Sequence, residues 1–299
     1  MKPERPVQPP FTKFKFFSSL SLALPIFAAA VWLKGQPNRW PGPDQTVVGR
    51  AIPVEVGAGL RAWRLIVPDQ RFGGLSALAV DRASLVSLSD SGVVVRFATP
   101  GEEQAMRFAL HDLPDGPGSG RRKSSRDSES LLAAPGGGWW VGFESLHSLW
   151  RFDAEFRHAR ETRWLDVDWP GNFGAEALVL QGEDILAVPE GGGEAAGGGN
   201  GKFVAPAWTT DATRLPDGRL VLLNRRLSTT GFINEVRIGA GAGRSAQRIA
   251  LDLAPLDNME GIAAAPLPNG GTRLWIVSDD NFRPWMRTLL VALDLPPSA

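Results

Sequence analysis

From about residue 45 onward, apolar residues come in short runs broken by glycine, aspartate, asparagine and proline, and one unit keeps returning. The unit is a small or acidic residue, an apolar run, a tight turn, a second apolar run and a closing polar residue. Its copies are residues 75–90 (LSALAVDRASLVSLSD), 128–144 (SESLLAAPGGGWWVGFE), 175–190 (AEALVLQGEDILAVPE), 210–225 (TDATRLPDGRLVLLNR) and 259–280 (MEGIAAAPLPNGGTRLWIVSDD). Each copy predicts two short strands joined by a hairpin turn. From Ser76 through Glu129, Glu176, Asp211 and Glu260 the steps are 53, 47, 35 and 49 residues, a period that suits four-stranded β-propeller blades.

Outer strands are legible between the copies, at 93–97, 149–152 and 235–238, where apolar residues alternate. The run 289–295 (LLVALDL) is a last strand, and with 63–67 or 51–56 it can complete a sixth blade and close the ring. The expectation is therefore an all-β protein, a β-propeller of four-stranded blades. Six blades are expected, with five or seven left open. No stretch after residue 45 has the 3.6-residue period of an ordinary amphipathic helix, which weakens Rossmann-like and hydrolase-fold readings.

The repeats also place acidic residues at equivalent points. Glu129, Glu176, Asp211 and Glu260 fall where the first strand begins, and Asp90, Glu144, Glu190 and Asp279 follow the second. Equivalent points in a propeller lie at equal depth around one axis, so the first group would form a ring at one mouth of the channel. Carboxylates at close range raise each other's pKa unless a cation compensates. A hard divalent ion, Ca²⁺ foremost, would do so through oxygen ligands, and Arg71, Arg126, Arg225 and Arg283 are candidate partners for phosphate oxygens. The alternative is structural, since acidic residues at blade starts also form turns and cap backbone N–H groups.

Composition narrows the chemistry. Lys+Arg and Asp+Glu are 32 each, which argues against nucleic acid as a bulk electrostatic partner. With no cysteine and only His111, His147 and His158, thiolate chemistry is excluded and a multi-histidine zinc site is disfavoured. The GxSxG elbow is lacking, and the glycine-rich runs 191–201 and 239–243 read as loops. The basic stretch 121–126 (RRKSSR) reads as a solvated loop, with capture of phosphate or anionic lipid as the alternative. A basic leader over 1–15 precedes an apolar run over 16–33, either a signal peptide or a membrane anchor, then a linker over 34–48 and the main domain over 49–299. Either form of that run places the domain in the periplasm or outside the cell, with an inner-membrane tether if the run is retained.

The segment 257–290 (DNMEGIAAAPLPNGGTRLWIVSDDNFRPWMRTLL) resembles the phytase-like family, described as having esterase-like activity of phytase. GGLSALAVD with SLSD, RDSESLL, FGAEALV and PDGRLVLLNRRLS support the resemblance across about residues 71–295. The resemblance implies a propeller whose acidic residues serve phosphoester hydrolysis with calcium. It carries over onto Glu129, Glu176, Glu260, Asp279, Asp280 and Asn281, and onto Arg225 and Arg226. Ser130, Met259 and Asn224 depart from the family pattern, Asn224 by standing where an acidic residue is usual, and Trp285 and Met286 stand where polar residues are usual.

The leading expectation is an exported phosphoester hydrolase acting on a small phosphate ester or another anionic ligand. In it Glu129, Glu176, Glu260 and Asp280 serve the chemistry, Glu129, Glu176, Asp211, Glu260, Asp279 and Asp90 hold Ca²⁺, and Arg71, Arg126, Arg225, Arg283 and Asn281 bind substrate. A non-catalytic calcium-binding module of the cell envelope and a calcium-dependent lactonase or esterase are the alternatives.

Overall fold

A computed structural model describes residues 41–297 apart from 145, 171–173, 200–202 and 240–245. The leader, the apolar run and the first part of the linker lie outside the described residues, and residues 38–299 form one compact unit. The regular structure of the described chain is strand, apart from a single 3₁₀ turn at Lys123–Ser125.

Two strands come first, β1 (Gln45–Val54) and β2 (Leu60–Ile66). Four antiparallel meanders follow: β3 (Leu75–Asp81), β4 (Ser84–Ser89), β5 (Val93–Ala98) and β6 (Ala105–Asp112); β7 (Ser128–Ala133), β8 (Trp139–Phe143), β9 (Ser148–Phe152) and β10 (Ala159–Trp164); β11 (Ala175–Gln181) and β12 (Asp184–Pro189) with the short β13 (Gly193–Glu194), β14 (Ala196–Gly197) and β15 (Val204–Ala205); and β16 (Thr209–Arg214), β17 (Leu220–Ser228), β18 (Gly231–Ile238) and β19 (Gln247–Leu251). The fifth meander, β20 (Asn258–Pro266), β21 (Thr272–Asp279) and β22 (Leu289–Leu295), takes β2 as its fourth strand. β1 begins at Gln45, inside the stretch expected to be linker, because its other half is needed as a ladder partner for β6.

The first strands of the five meanders pack side by side, each against the next, and β20 returns to β3. Such a closed cycle is the arrangement of propeller blades around an axis. Second strands such as β12 (DILAVP) and β21 (TRLWIVSD) are buried on both faces and so read as nearly continuous apolar runs. Each neighbouring pair of blades shares its own apolar cluster. Val86 and Leu88 meet Val141 and Phe143, Trp140 meets Leu178, Val188 meets Leu222, Val221 meets Ile276, and Val277 meets Leu78. At about 1.5–3 kcal/mol for each fully buried large side chain, these clusters dominate the stabilisation.

The strands expected to found a sixth blade do other work. Residues 289–295 are the third strand of the fifth meander, and 60–66 are its fourth. β1 pairs with β2 through Arg50–Val54 and with β6 through Gln45–Arg50, so one strand latches the outer edges of the first and fifth blades together. The latch covers two edges that would otherwise be open to pairing with other chains.

Candidate functional site

Every inner strand carries a β-bulge near its start, at the second residue in four of them and at the third in β20. The register skips one position between Leu75 and Ala77, Ser128 and Ser130, Ala175 and Ala177, Thr209 and Asp211, and Met259 and Gly261. The residues so released from the ladder are Ser76, Glu129, Glu176, Thr210 and Glu260. A bulge re-aims the side chain it carries, and here it does so at one depth around the axis. Two of these residues tie neighbouring blades together. Ser76 Oγ donates to Ser128 O at 2.6 Å and Thr210 Oγ1 to Met259 O at 3.1 Å, in each case to the residue just before the next blade's bulge. The other three are glutamates.

The sequence alignment of repeats is off by one in the fourth blade. Asp211 stands beyond the bulge, is buried, and accepts the N–H groups of Ala212 and Ile262, each at 2.7 Å. It is a backbone staple between β16 and β20, and its carboxyl is pushed well up by burial. A second ring follows the second strands, whose residues paired with the one just before each bulge are Ser89, Phe143, Pro189, Asn224 and Ser278. The next residues are Asp90, Glu144, Glu190, Arg225 and Asp279. The N–H groups of Asp90, Glu144 and Arg225 donate to the carbonyls of Gly74, Asp127 and Trp208, which fixes this ring beside the starts of the inner strands.

Asp279 therefore aligns with Asp90, as the repeats predicted, and Asp280 lies one residue beyond the ring. Asp280 is used as a bracket: its carboxylate accepts from Gly74 N at 2.9 Å, Phe282 N at 3.0 Å and Thr288 Oγ1 at 2.8 Å. Gly74 has φ +59, and a Cβ there would lie 2.5 Å from Asp90 Oδ1, so only glycine lets Asp90 and Asp280 approach the same backbone. Asn224 is buried and donates to Thr209 Oγ1 at 3.1 Å. Its departure from the family pattern thus alters the strand end behind the mouth and leaves both rings intact.

The mouth is crowded with negative charge. Burial, then Asp127, Glu176, Asp90 and Glu144, pushes the Glu129 carboxyl well above its ordinary range. Burial and then Glu190, Glu260 and Glu144 do the same to Glu176, against the opposing pull of Arg225. Asp279 is raised by burial and by Asp90 and Glu260, and Asp90 by burial with Asp127 and Asp280 beside it. Glu260 is held at about 7 by burial, with Arg225 pulling it down and Glu190 pushing it up.

Two cations are set into this cluster. Arg225 lies 3.1 Å from Glu190 and 3.2 Å from Glu260, and Lys123 lies 2.8 Å from Asp90 and 3.0 Å from Asp127. Lys123 belongs to the basic stretch read as a solvated loop; its amine is instead an internal counter-ion whose pKa is raised by Asp90, Asp127 and Glu129. Asp127, Lys123 and Asn258, which donates to Glu260 at 2.8 Å, were missed because they fall outside the repeated positions.

The other predicted arginines are occupied elsewhere. Arg71 is buried between Asp69 and Asp112, at 3.0 and 2.7 Å. Arg126 is buried and donates to the carbonyls of Pro117 and Ser125. Arg283 lies over the Trp285 ring, and Asn281 N donates to Asp279 at 2.5 Å from a left-handed turn, φ 48.

The donor set suits a hard cation. Asp127, Glu129 and Glu144 each offer an oxygen, all within 4.8 Å of one another. Asp90 Oδ1 and Asn258 Oδ1 are buried and have no hydrogen-bond partner, as a ligand oxygen awaiting a metal would.

The model of the family described as phytase-like, esterase-like activity of phytase, matches residues 70–209 and 204–282, most of the chain and all five bulges. The chain belongs to the phytase-like family. No curated protein matches it in sequence. Among solved structures, a protein assigned as a gluconolactonase is 12% identical with a TM-score of 0.44, covering 89% of this chain and 95% of that one. The PQQ-bound aldose sugar dehydrogenase of Streptomyces coelicolor is 10% identical with a TM-score of 0.42, covering 85% and 100%. Hydrazine synthase of Kuenenia stuttgartiensis is 11% identical with a TM-score of 0.36, covering 74% of this chain, which spans 63% of that chain.

Proposed function

We propose that this phytase-like chain is a five-bladed propeller that hydrolyses phosphoesters at the carboxylate mouth with the help of Ca²⁺. The observation that carries the reading is the pair of rings: three bulge glutamates and the residues beside them hold more negative charge than Lys123 and Arg225 can balance. Asp127, Glu129 and Glu144 would hold one ion, with Asp90 and Asn258 offering further oxygens. Bound there, the ion would supply charge neutralisation and an acidified water.

The chain's own residues divide the remaining work. Glu190 and Glu260 fix the Arg225 guanidinium from two sides, so its donors are oriented before substrate arrives and can meet phosphate oxygens as a planar fork. Lys123, held by Asp90 and Asp127, offers a second positive charge at the mouth. Glu260, titrating at about 7, can take a proton from a water or return one to a leaving alkoxide near neutral pH. Asp280 and Gly74 hold the mouth's backbone, and burial of the ring strengthens every one of these interactions.

Glu129→Gln and Glu176→Gln in residues 38–299 test the reading. Each is expected to abolish Ca²⁺-dependent hydrolysis of phosphate esters while leaving the far-UV spectrum of the fold unchanged. Full activity in both variants would overturn it.

A further inference from the structure

The exposed apolar surface of the domain is distributed unevenly between its two ends. Along every inner hairpin, the strand directions put the bulges and the second ring at one end, and the turns within 81–84, 135–138, 181–184, 216–219 and 267–271 at the other. Among the described residues, none of the large exposed apolar side chains lies in those far turns. Five of the eleven such side chains stand close to the mouth. Trp208 is 50% exposed, Leu227 68%, Leu256 50%, Phe282 42% and Trp285 63%.

Each of these sits within a few residues of the mouth. Trp208 exchanges backbone hydrogen bonds with Glu190 and Arg225. Leu227 is on the part of the β17–β18 hairpin that runs on past Arg225, and Leu256 directly precedes Asp257 and the start of β20. Phe282 and Trp285 follow Asp280, and the Phe282 ring packs over Gly73 and Gly74. Trp208 and Phe282 hold left-handed backbone, φ 68 and 50, so the turns that present them are fixed at some conformational cost.

Basic residues stand among them. Arg121 and Arg122 are exposed in the loop that leads from β6 to β7 at the mouth end, and Arg226 is exposed beside Leu227. The described chain also enters the domain on connections that serve this end. Gly42 N donates to Asp112 at 3.0 Å, and Asp112 in turn binds Arg71, three residues before Gly74. In the sequence, the apolar run 16–33 lies a short linker upstream of Gly42.

Rings of Trp and Phe mixed with arginine are the side chains that settle at a bilayer interface, aromatic bodies among the headgroups and guanidinium groups on lipid phosphate. We infer that the mouth end of the propeller is a membrane-docking face, whose occupant is the surface of an anionic phospholipid bilayer. The apolar rim and the arginines would rest on the headgroups, while the carboxylate mouth opens towards them. The inference goes beyond the proposed chemistry and does not depend on it, because the rim residues are distinct from the ring residues.

Residues 38–299 carry all the described strands and all five apolar clusters, so this unit can be tested without the apolar run. Co-sedimentation with vesicles of phosphatidylcholine alone, and of phosphatidylcholine with phosphatidylglycerol, should be measured in Ca²⁺ and in EDTA. Binding is expected to the anionic vesicles in both buffers, weaker in EDTA because the uncompensated carboxylates of the mouth then face the anionic surface. Trp208→Ser with Trp285→Ser, and separately Arg121→Glu with Arg122→Glu, are each expected to weaken it by about tenfold or more. Trp285→Phe should restore much of what Trp285→Ser removes. Substitutions in the far turns, such as Glu183→Ser, should change nothing. Absence of binding to either vesicle, equal binding by parent and rim variants, or binding seen only with Ca²⁺ and unaffected by the rim substitutions would each overturn the docking face. A loss of phosphatase activity leaves these readouts untouched, so failure of the catalytic reading and failure of this one are distinguishable.

Discussion

Glu260→Gln removes one negative charge from the mouth while keeping nearly the same volume. In the metal-free protein Glu260 titrates at about 7, against an ordinary value of 4.5. Its native pKa is raised, so between those values the folded state binds more protons than the unfolded chain. Stability is therefore full below about pH 4.5 and falls as the pH rises through about 7. The interval is worth about 3 kcal/mol. The Glu260 side chain is 12% exposed, so solvent screening removes little of this.

Glutamine cannot lose a proton, and the variant escapes that part of the decline. Thermal unfolding in EDTA at pH 4 and pH 8 is the assay. Between the two, the parent is expected to lose about 3 kcal/mol more than Glu260→Gln, which for a domain of this size corresponds to ~6–12 °C in Tm. Saturating Ca²⁺ should raise the parent's Tm at pH 8 and raise the variant's by less. Equal pH dependence in parent and variant would refute the picture of a charge strained by burial and neighbouring carboxylates.

Other residues separate site from scaffold. Arg225→Gln leaves Glu190 and Glu260 facing each other without their cation and is expected to lower metal-free stability at pH 8 by about 3 kcal/mol, with Ca²⁺ restoring part of it in a melting assay. Asp211→Ala orphans two buried N–H groups and should destabilise by about 2–4 kcal/mol in denaturant unfolding, with Ca²⁺ affinity by calorimetry unchanged. Asp280→Ala should behave the same way, costing about 2 kcal/mol and sparing the affinity.

Much of this protein is legible in its sequence because hairpins are local. All five inner pairs and the outer strands 93–97, 149–152 and 235–238 could be read from alternation and turn residues, since each forms with its immediate neighbour. What periodicity could not supply is long-range pairing. The latch strand β1 joins residues near 50 to residues near 105 on one side and 66 on the other, and nothing in its own pattern names those partners. The same limit holds for β2, whose pairing with β22 makes it the fourth strand of the fifth meander.

At the site, Glu129, Glu176 and Glu260 were visible because a glutamate inside an apolar run has few structural uses. Asp211 was misplaced because a bulge shifts register by one residue, and the TTDA sequence offers two polar candidates for one position. Arg71 and Arg126 show the limit from the other side, since guanidinium groups serve buried aspartates and loop carbonyls as readily as substrates. Lys123 was hidden in a basic stretch whose neighbours Arg121 and Arg122 are exposed.

Hydrolysis by residues 38–299 of a panel of phosphomonoesters, phosphodiesters and lactones, in Ca²⁺ and in EDTA, bears on the central claim most directly. Release of phosphate or alcohol from at least one phosphoester in Ca²⁺, lost in EDTA and lost in Glu129→Gln, is the result expected. Turnover of no phosphoester, with Ca²⁺ leaving the melting temperature of the parent unchanged, would contradict it.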